Sequence, residues 1–217
     1  MATILREWSY RYQWLYDAIA RVTTLSIGGE ARFRQLALEG LPFQPDTKVL
    51  DLCCGSGQTT KFLVQRSQQV TGLDASPLSL KRAQQNVPEA DYIEAWAENI
   101  PVTDQQFDIV HTSSALHEME PDQLQQIIQE VYRVLKPGGY FTLIDFHRPS
   151  NPLFWPGLSL FFMLFETETA WQLLDTDLPN LLSKIGFQTQ QQKFYLGGSI
   201  QVLKAQKSDP KIMDSDT

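Results

Sequence analysis

Asp51, Gly55, Gly57 and Asp74 are the residues of this chain whose types and spacing best suit holding a ligand. Two glycines in a three-residue turn, Gly55-Ser56-Gly57, accept positive φ and let a bound group lie against the backbone. A carboxylate about 20 residues beyond such a turn can accept both hydroxyl protons of a ribose. A second group lies downstream, with His117 and Glu118, then Asp145 and His147, as candidates to take or hold a proton. His111 falls within a strand pattern and is expected to be a packed or hydrogen-bonded histidine. Glu118 and Glu120 read as a solvated helix entry rather than a metal pair. Cys53 and Cys54 are adjacent, a poor disulfide pair, and are expected to be small buried side chains of a reducing compartment. No CxxC or Cys/His cluster offers a metal site, so none is expected.

The elements that must position these groups alternate in type. Val49 to Leu52 suits a buried strand, and a helix is expected from Thr59 to Gln65. Gln69 to Asp74 is a second strand ending in an acid. Ser76-Pro77 opens a helix to Asn86, by a cap followed by proline in the first turn. Tyr92 to Ala95 and Phe107 to Thr112 are the third and fourth strands. Ser113 to Met119 forms the loop beyond the fourth, where ligands bind in open α/β sheets. A helix opening at Pro121-Asp122 carries Leu124, Ile127, Ile128, Val131, Val134 and Leu135 on one face, and Lys136-Pro137-Gly138-Gly139 stops it. Tyr140 to Phe146 is the fifth strand. Asp177 to Ile185 is a helix closed by Gly186, and Phe187 to Leu196 with Ser199 to Ala205 form a hairpin about Gly197-Gly198.

At the N-terminus, Trp8, Tyr12, Leu15, Tyr16 and Ile19 make one apolar stripe at helical spacing, and Ala31 to Leu38 is a second short helix. These helices either cover a sheet edge or close over a ligand with Tyr16-Asp17 facing it.

With 217 residues, 42% hydrophobic and 20% charged, the chain suffices for one substantial α/β core. A net charge of -7 argues against nucleic acid as a partner. No secretory signal is visible and no apolar run reaches the ~18 residues of a spanning helix, so a cytoplasmic protein is expected.

The motifs Val49-Leu50-Asp51-Leu52-Cys53-Cys54-Gly55-Ser56-Gly57, Asp74-Ala75-Ser76-Pro77, Ala97-Glu98-Asn99-Ile100-Pro101, Phe107-Asp108-Ile109-Val110 and Leu135-Lys136-Pro137-Gly138-Gly139 occur in this order. Together they resemble the class I S-adenosylmethionine-dependent methyltransferases. Tyr16-Asp17, Ser26-Ile27-Gly28 and Leu196-Gly197-Gly198-Ser199-Ile200 further resemble the ubiquinone/menaquinone C-methyltransferase group. The resemblance implies a Rossmann-like, seven-stranded, mostly parallel sheet with helices on both faces, a C-terminal hairpin giving one antiparallel strand, and an N-terminal helical cap. It implies S-adenosylmethionine as cofactor. Gly55 and Gly57 would admit its methionine half, Asp51 would help hold the ammonium, and Asp74 would bind the ribose. Ala75 would pack on adenine, Ala97 and Glu98 would border its amino edge, and Ser113 would lie beside the methionine moiety, with Tyr16 closing the site. The family usually has an Asp just before Ala97, where this chain has Trp96.

A nicotinamide dehydrogenase would need a third glycine where Thr60 stands, and Asp51 would set a carboxylate close to a pyrophosphate. A cofactor-binding module without catalysis is the other alternative. The expected organisation is one domain over residues 1–207, with a helical cap at 1–40, a cofactor-binding core at 46–147, an apolar lid-like insertion at 149–177, and a disordered tail at 208–217. The stretch from Asn151 to Phe165 holds no charge. It is either a core helix or a lid over a small-molecule, lipophilic, quinol-like acceptor, able to make peripheral membrane contact. The alternative acceptor is a small soluble metabolite that would be O-methylated.

Overall fold

The computed structural model describes residues 27–209. The expected N-terminal stripe, Tyr16-Asp17 and the end of the tail lie outside the described residues.

Seven strands form one sheet: β1 (Lys48–Leu52), β2 (Gln69–Asp74), β3 (Asp91–Glu94), β4 (Phe107–Ser113), β5 (Leu135–Phe146), β6 (Phe187–Tyr195) and β7 (Ile200–Lys207). Their spatial order is β3-β2-β1-β4-β5-β7-β6. The first five pair in parallel, and β7 runs antiparallel between β5 and β6. This is the Rossmann-like sheet that the motifs imply, with its single reversed strand. The helices are α1 (Glu30–Leu36), α2 (Thr60–Leu63), α3 (Pro77–Asn86), α4 (Pro121–Val134), α5 (Trp155–Phe165), α6 (Glu168–Leu174) and α7 (Leu178–Ile185).

Strand alternation sends side chains to two cores. Leu50, Leu52, Val110, Leu143 and Leu203 pack under α4, α6 and α7. On the opposite face Val49, Val70 and Ile109 meet Leu38 and Leu63, while Ile144 and Val202 meet Phe33 and Leu36 of α1. Burial on both faces explains why the parallel strands read as near-continuous apolar runs.

Helix ends follow local chemistry. The Ser76 side chain accepts the Ser79 N–H at 3.2 Å and Pro77 occupies the first turn of α3. That helix stops at Asn86 because Val87, preceding Pro88, leaves the helical region (φ -141°, ψ 71°). α4 differs from expectation at one residue. Leu135 is not its last apolar rung but the first of β5, paired with Phe107. Pro137 and Gly138 (φ 76°) lie too close for another helical turn, and the ladder resumes only at Tyr140 opposite Ile109. The carbonyls left at the end of α4 are met by Lys207, whose Nζ donates to Tyr132 O at 2.6 Å and Leu135 O at 2.8 Å. α6 also arises where no regular element was expected.

Gly72 of β2 makes room beneath the glycine turn. A Cβ there would stand 2.8 Å from the Tyr92 ring and 2.9 Å from Cys54 Sγ. The Tyr92 hydroxyl in turn contacts Ala83 O at 3.1 Å and Val87 O at 2.9 Å, tying β3 to α3. Gly72→Ala is therefore expected to destabilise the fold by about 1–3 kcal/mol through overpacking, read from urea unfolding midpoints at unchanged slope.

Candidate active site

The carboxyl ends of β1 to β5 open on one cavity of about 870 Å³. Asp51, Gly55, Asp74, Ala75, Trp96, Ala97, Glu98 and Ser113 line one part of it, and His117, Asp145, Phe146, Phe161 and Glu166 are among the residues lining the other. The cavity thus gathers nine of the twelve site residues expected from the sequence; Gly57 and His147 do not line it, and Tyr16 lies outside the described residues.

Asp74 Oδ2 accepts the Gly55 N–H and Oδ1 accepts the Ser76 N–H, both at 2.9 Å. These bonds fix the glycine turn to the end of β2. Each carboxylate oxygen has a second lone pair, so two hydroxyls can still be accepted. Gly55 takes φ 57° at the cavity wall. Gly57 does not line the cavity. Its φ is 85°, and a Cβ would meet Val87 at 3.2 Å and Ala83 at 3.6 Å, so this glycine brings the turn against α3. Cys53 also turns through positive φ (56°), and burial pushes the thiols of both Cys53 and Cys54 upward in pKa, which leaves them poor nucleophiles.

Asp51 is almost wholly buried. Its Oδ1 lies 3.0 Å from His111 Nδ1, and its Oδ2 accepts the Thr60 hydroxyl at 2.6 Å. Thr60, standing where a dinucleotide fold has its third glycine, is thus a partner of the acid at the end of β1. His111 is buried and hydrogen-bonded, and its Nε2 meets no partner among the described residues.

The other end is organised by Asp145. Its Oδ2 accepts the Ala115 N–H at 3.1 Å and the Leu116 N–H at 2.8 Å, while Oδ1 accepts the Phe146 N–H at 2.8 Å and binds His117 Nδ1 at 2.7 Å. His117 is buried in the one-turn helix Leu116–Glu118, with its ring edge on Phe146. Its Nε2 lies 3.5 Å from Glu166 Oε2, between α5 and α6. Burial opposes the imidazolium, but the carboxylates of Asp145, Glu166 and Glu118 outweigh it and raise the His117 pKa to about 9.

His147 is directed elsewhere: its Nδ1 meets Gly198 O at 3.0 Å and its ring packs on Phe194 outside the cavity lining. Glu98 Oε1 accepts from Gln123 Nε2 at 3.2 Å, and the Trp96 indole is 65% exposed on the cavity rim. Ser113 Oγ accepts from Arg34 at 3.1 Å. Arg34 and Glu166 escaped sequence reasoning. Glu166 left one signal, as the first charge after the uncharged run; Arg34 left none.

Helix α5 has three apolar faces. Leu158 and Phe162 are buried, with Phe162 against Trp171 at 5.2 Å. Phe161 and Phe165 line the cavity. Leu160 and Met163 face outward, 59% and 67% exposed. The core and lid readings of this stretch therefore fall on different sides of one helix.

Residues 49–139 match the model of a methyltransferase domain. An uncharacterized methyltransferase of Synechocystis sp. is 58% identical over 205 residues, 94% of this chain and 97% of that protein. The chain belongs to the class I S-adenosylmethionine-dependent methyltransferases. A 2-phytyl-1,4-naphtoquinone methyltransferase of Nostoc sp. is 32% identical over 64% of this chain and 66% of its own length. A demethylmenaquinone methyltransferase of Desulfitobacterium hafniense is 34% identical over 64% of this chain and 58% of its own. A methyltransferase solved in complex with the Haloferax volcanii Trm112 activator shares the fold, with a TM-score of 0.70 and 14% identity over 96% of this chain and 99% of that chain.

The methyltransferase uses S-adenosylmethionine, and the cavity fits it: a glycine turn at positive φ and a carboxylate with lone pairs to spare stand beside buried polar groups. Asp74→Ala is expected to weaken S-adenosylhomocysteine binding by about 1–3 kcal/mol, the scale of charge-assisted hydrogen bonds. Calorimetric titration reads this directly, and equal affinities would remove Asp74 from the site.

His117 supplies a second test. Its pKa is raised to about 9 when folded, so the proton it holds stabilises the fold fully below its ordinary value near 6.5, and this contribution fades as pH rises through about 9. Wild type is expected to lose on the order of 3 kcal/mol across that window through this group. His117→Gln should flatten that slope in denaturant unfolding measured at pH 6, 7.5 and 9.

Proposed function

We propose that this enzyme methylates a lipophilic, quinol-like acceptor, with Asp74 holding the cofactor ribose, the turn at Gly55 admitting its methionine half, and Glu166 taking the acceptor proton. The observation that carries the reading is the meeting of the apolar α5 face with the Asp145–His117–Glu166 chain in one cavity. Bound S-adenosylmethionine supplies a methyl group on a sulfonium, so the protein's part is alignment of the acceptor and removal of its proton.

His117 is read here as a fixed cation rather than as the base. An imidazolium held to about pH 9 has no free lone pair at neutral pH. It donates from Nδ1 to Asp145 and points Nε2 at Glu166, orienting that carboxylate. A quinol hydroxyl placed against Glu166 passes its proton there, and the electron pair left behind makes the ring nucleophilic. The acceptor's apolar body lies along Phe161, Phe165 and Phe146. Burying one such aromatic contact contributes about 1.5–3 kcal/mol, enough for a few of them to dominate acceptor affinity.

The relatives named for 2-phytyl-1,4-naphtoquinone and demethylmenaquinone support this acceptor class. Leu160 and Met163, outward on the same helix, suit an enzyme that meets its substrate at a membrane surface. Among the described residues no helix is long and apolar enough to cross a membrane.

Glu166→Gln is expected to lower kcat roughly 10²–10⁴-fold with a prenylated naphthoquinol while S-adenosylhomocysteine affinity holds. Phe161→Ser should raise KM for long-chain acceptors more than for short ones. Phe162 belongs to the core and is unsuited to this test. A Glu166→Gln enzyme with full turnover, or a wild type that methylates only small polar acceptors, would replace this reading with a soluble-metabolite methyltransferase.

A further inference from the structure

The single helical turn Pro152–Phe154, just before α5, is fastened to the connection between β6 and β7. The Asn151 N–H and the Ser150 hydroxyl both donate to Gly197 O, at 3.0 and 3.1 Å, and the His147 N–H donates to Ser199 O at 2.9 Å. Asn151 Oδ1 accepts the Leu153 N–H at 3.0 Å and caps the turn. The Phe154 ring fills the space left by the missing side chain of Gly197, where a Cβ would overlap it. Leu153 and Phe154 are thereby held at the cavity wall, and both line it. Leu153 is nevertheless 81% exposed, so the cavity reaches the surface at this residue.

An apolar track leads there from His117. Phe146 touches the His117 ring and pairs with Ile200 across β5 and β7. Leu196 packs against the same cluster. Phe154 follows on Gly197, and Leu153 stands beyond it in water. All five line the cavity and none has a polar side chain, whereas Asp51, Asp74, Glu98 and Glu118 line other parts of it. A ligand that ends inside the cavity has no use for an apolar path continued to an exposed leucine. A ligand with a hydrocarbon chain longer than the cavity does, because the path keeps that chain out of water as it leaves.

We propose that this path is the outlet for an apolar chain carried by the acceptor, with Leu153 and Phe154 selecting long chains over short ones. Such an outlet presupposes the lipophilic acceptor proposed above and adds where its chain leaves. The ring to be methylated stays beside Glu166 while the chain crosses Phe146 and Leu196 and emerges over Leu153. A long chain covers Leu153 and removes apolar surface of both from water; a short chain ends before reaching it.

The test compares kcat/KM of the full chain for prenyl- and phytyl-naphthoquinol in micelles of a neutral detergent. Leu153→Asp places a charge where the chain emerges, at a residue exposed enough for the fold to keep its stability. It should lower kcat/KM about 10-fold for the phytyl acceptor and less than about 2-fold for the prenyl one. Leu153→Ser should show the same ordering with a smaller loss. Leu160→Asp, on the outward face of α5 and outside the cavity lining, should leave the ratio of the two acceptors unchanged. Equal losses for both acceptors in Leu153→Asp would overturn the outlet. So would a change of ratio in Leu160→Asp as large as that in Leu153→Asp, which would assign the effect to contact with the micelle. A wild type that turns over neither naphthoquinol would overturn the acceptor reading and the outlet with it, an outcome distinct from the other two.

Discussion

The carboxylate of Asp145 holds together the edge of the sheet at the carboxyl ends of β4 and β5. Four bonds converge on it, three from backbone N–H groups and one from His117. They join the end of β5 to the turn beyond β4, where Ser114 is held at φ 53°. A buried acid in that position would be unfavourable if it lacked donors. Meeting its donors forces the chain to bring Ala115, Leu116 and His117 inward, and this is why a histidine expected in a loop is buried. The cavity wall around His117 follows from that constraint, because His117 then packs on Phe146 and reaches Glu166.

The same pairing of acid and histidine occurs twice, with different outcomes. Asp51 and His111 lie beneath the glycine turn, closed by Thr60, and the far nitrogen of His111 is buried with no partner among the described residues. Asp145 and His117 lie at the sheet edge, and the far nitrogen of His117 looks toward another carboxylate. One pair braces the end of β1 beneath the glycine turn. The other extends through His117 to Glu166, a chain of alternating charge on the cavity wall.

The sequence disclosed what is local. The Ser76-Pro77 cap and the Val87-Pro88 stop bound α3 at its observed ends, because both signals act within a turn of the helix they limit. The acid ending β2 and the glycine turn were legible for the same reason. What could not be read depends on contacts across the chain. Gly57 faces α3 rather than a ligand because Ala83 and Val87 return to it from some 30 residues away. His147 leaves the cavity because Gly198, in the β6–β7 connection, takes its Nδ1. Arg34 and Glu166 carry no motif, and they meet the cavity only because α1 and the α5–α6 junction fold over the sheet edge. Phe161 and Phe162 are neighbours in sequence yet separate into cavity and core by the turn of one helix.

The order β5-β7-β6 has a consequence for how the molecule is made. β6 is synthesised before β7, yet among the described residues its only sheet partner is β7. A chain emerging from the ribosome therefore carries β6 as a hairpin arm awaiting its second half, while β5 keeps one edge unpaired. Both vacancies are filled by a single event, the insertion of β7 between them. Leu196, Ser199 and Ile200, which line the cavity, arrive with that strand. The part of the cavity built from β1, β2 and β4 can take shape earlier in synthesis than the part these residues close.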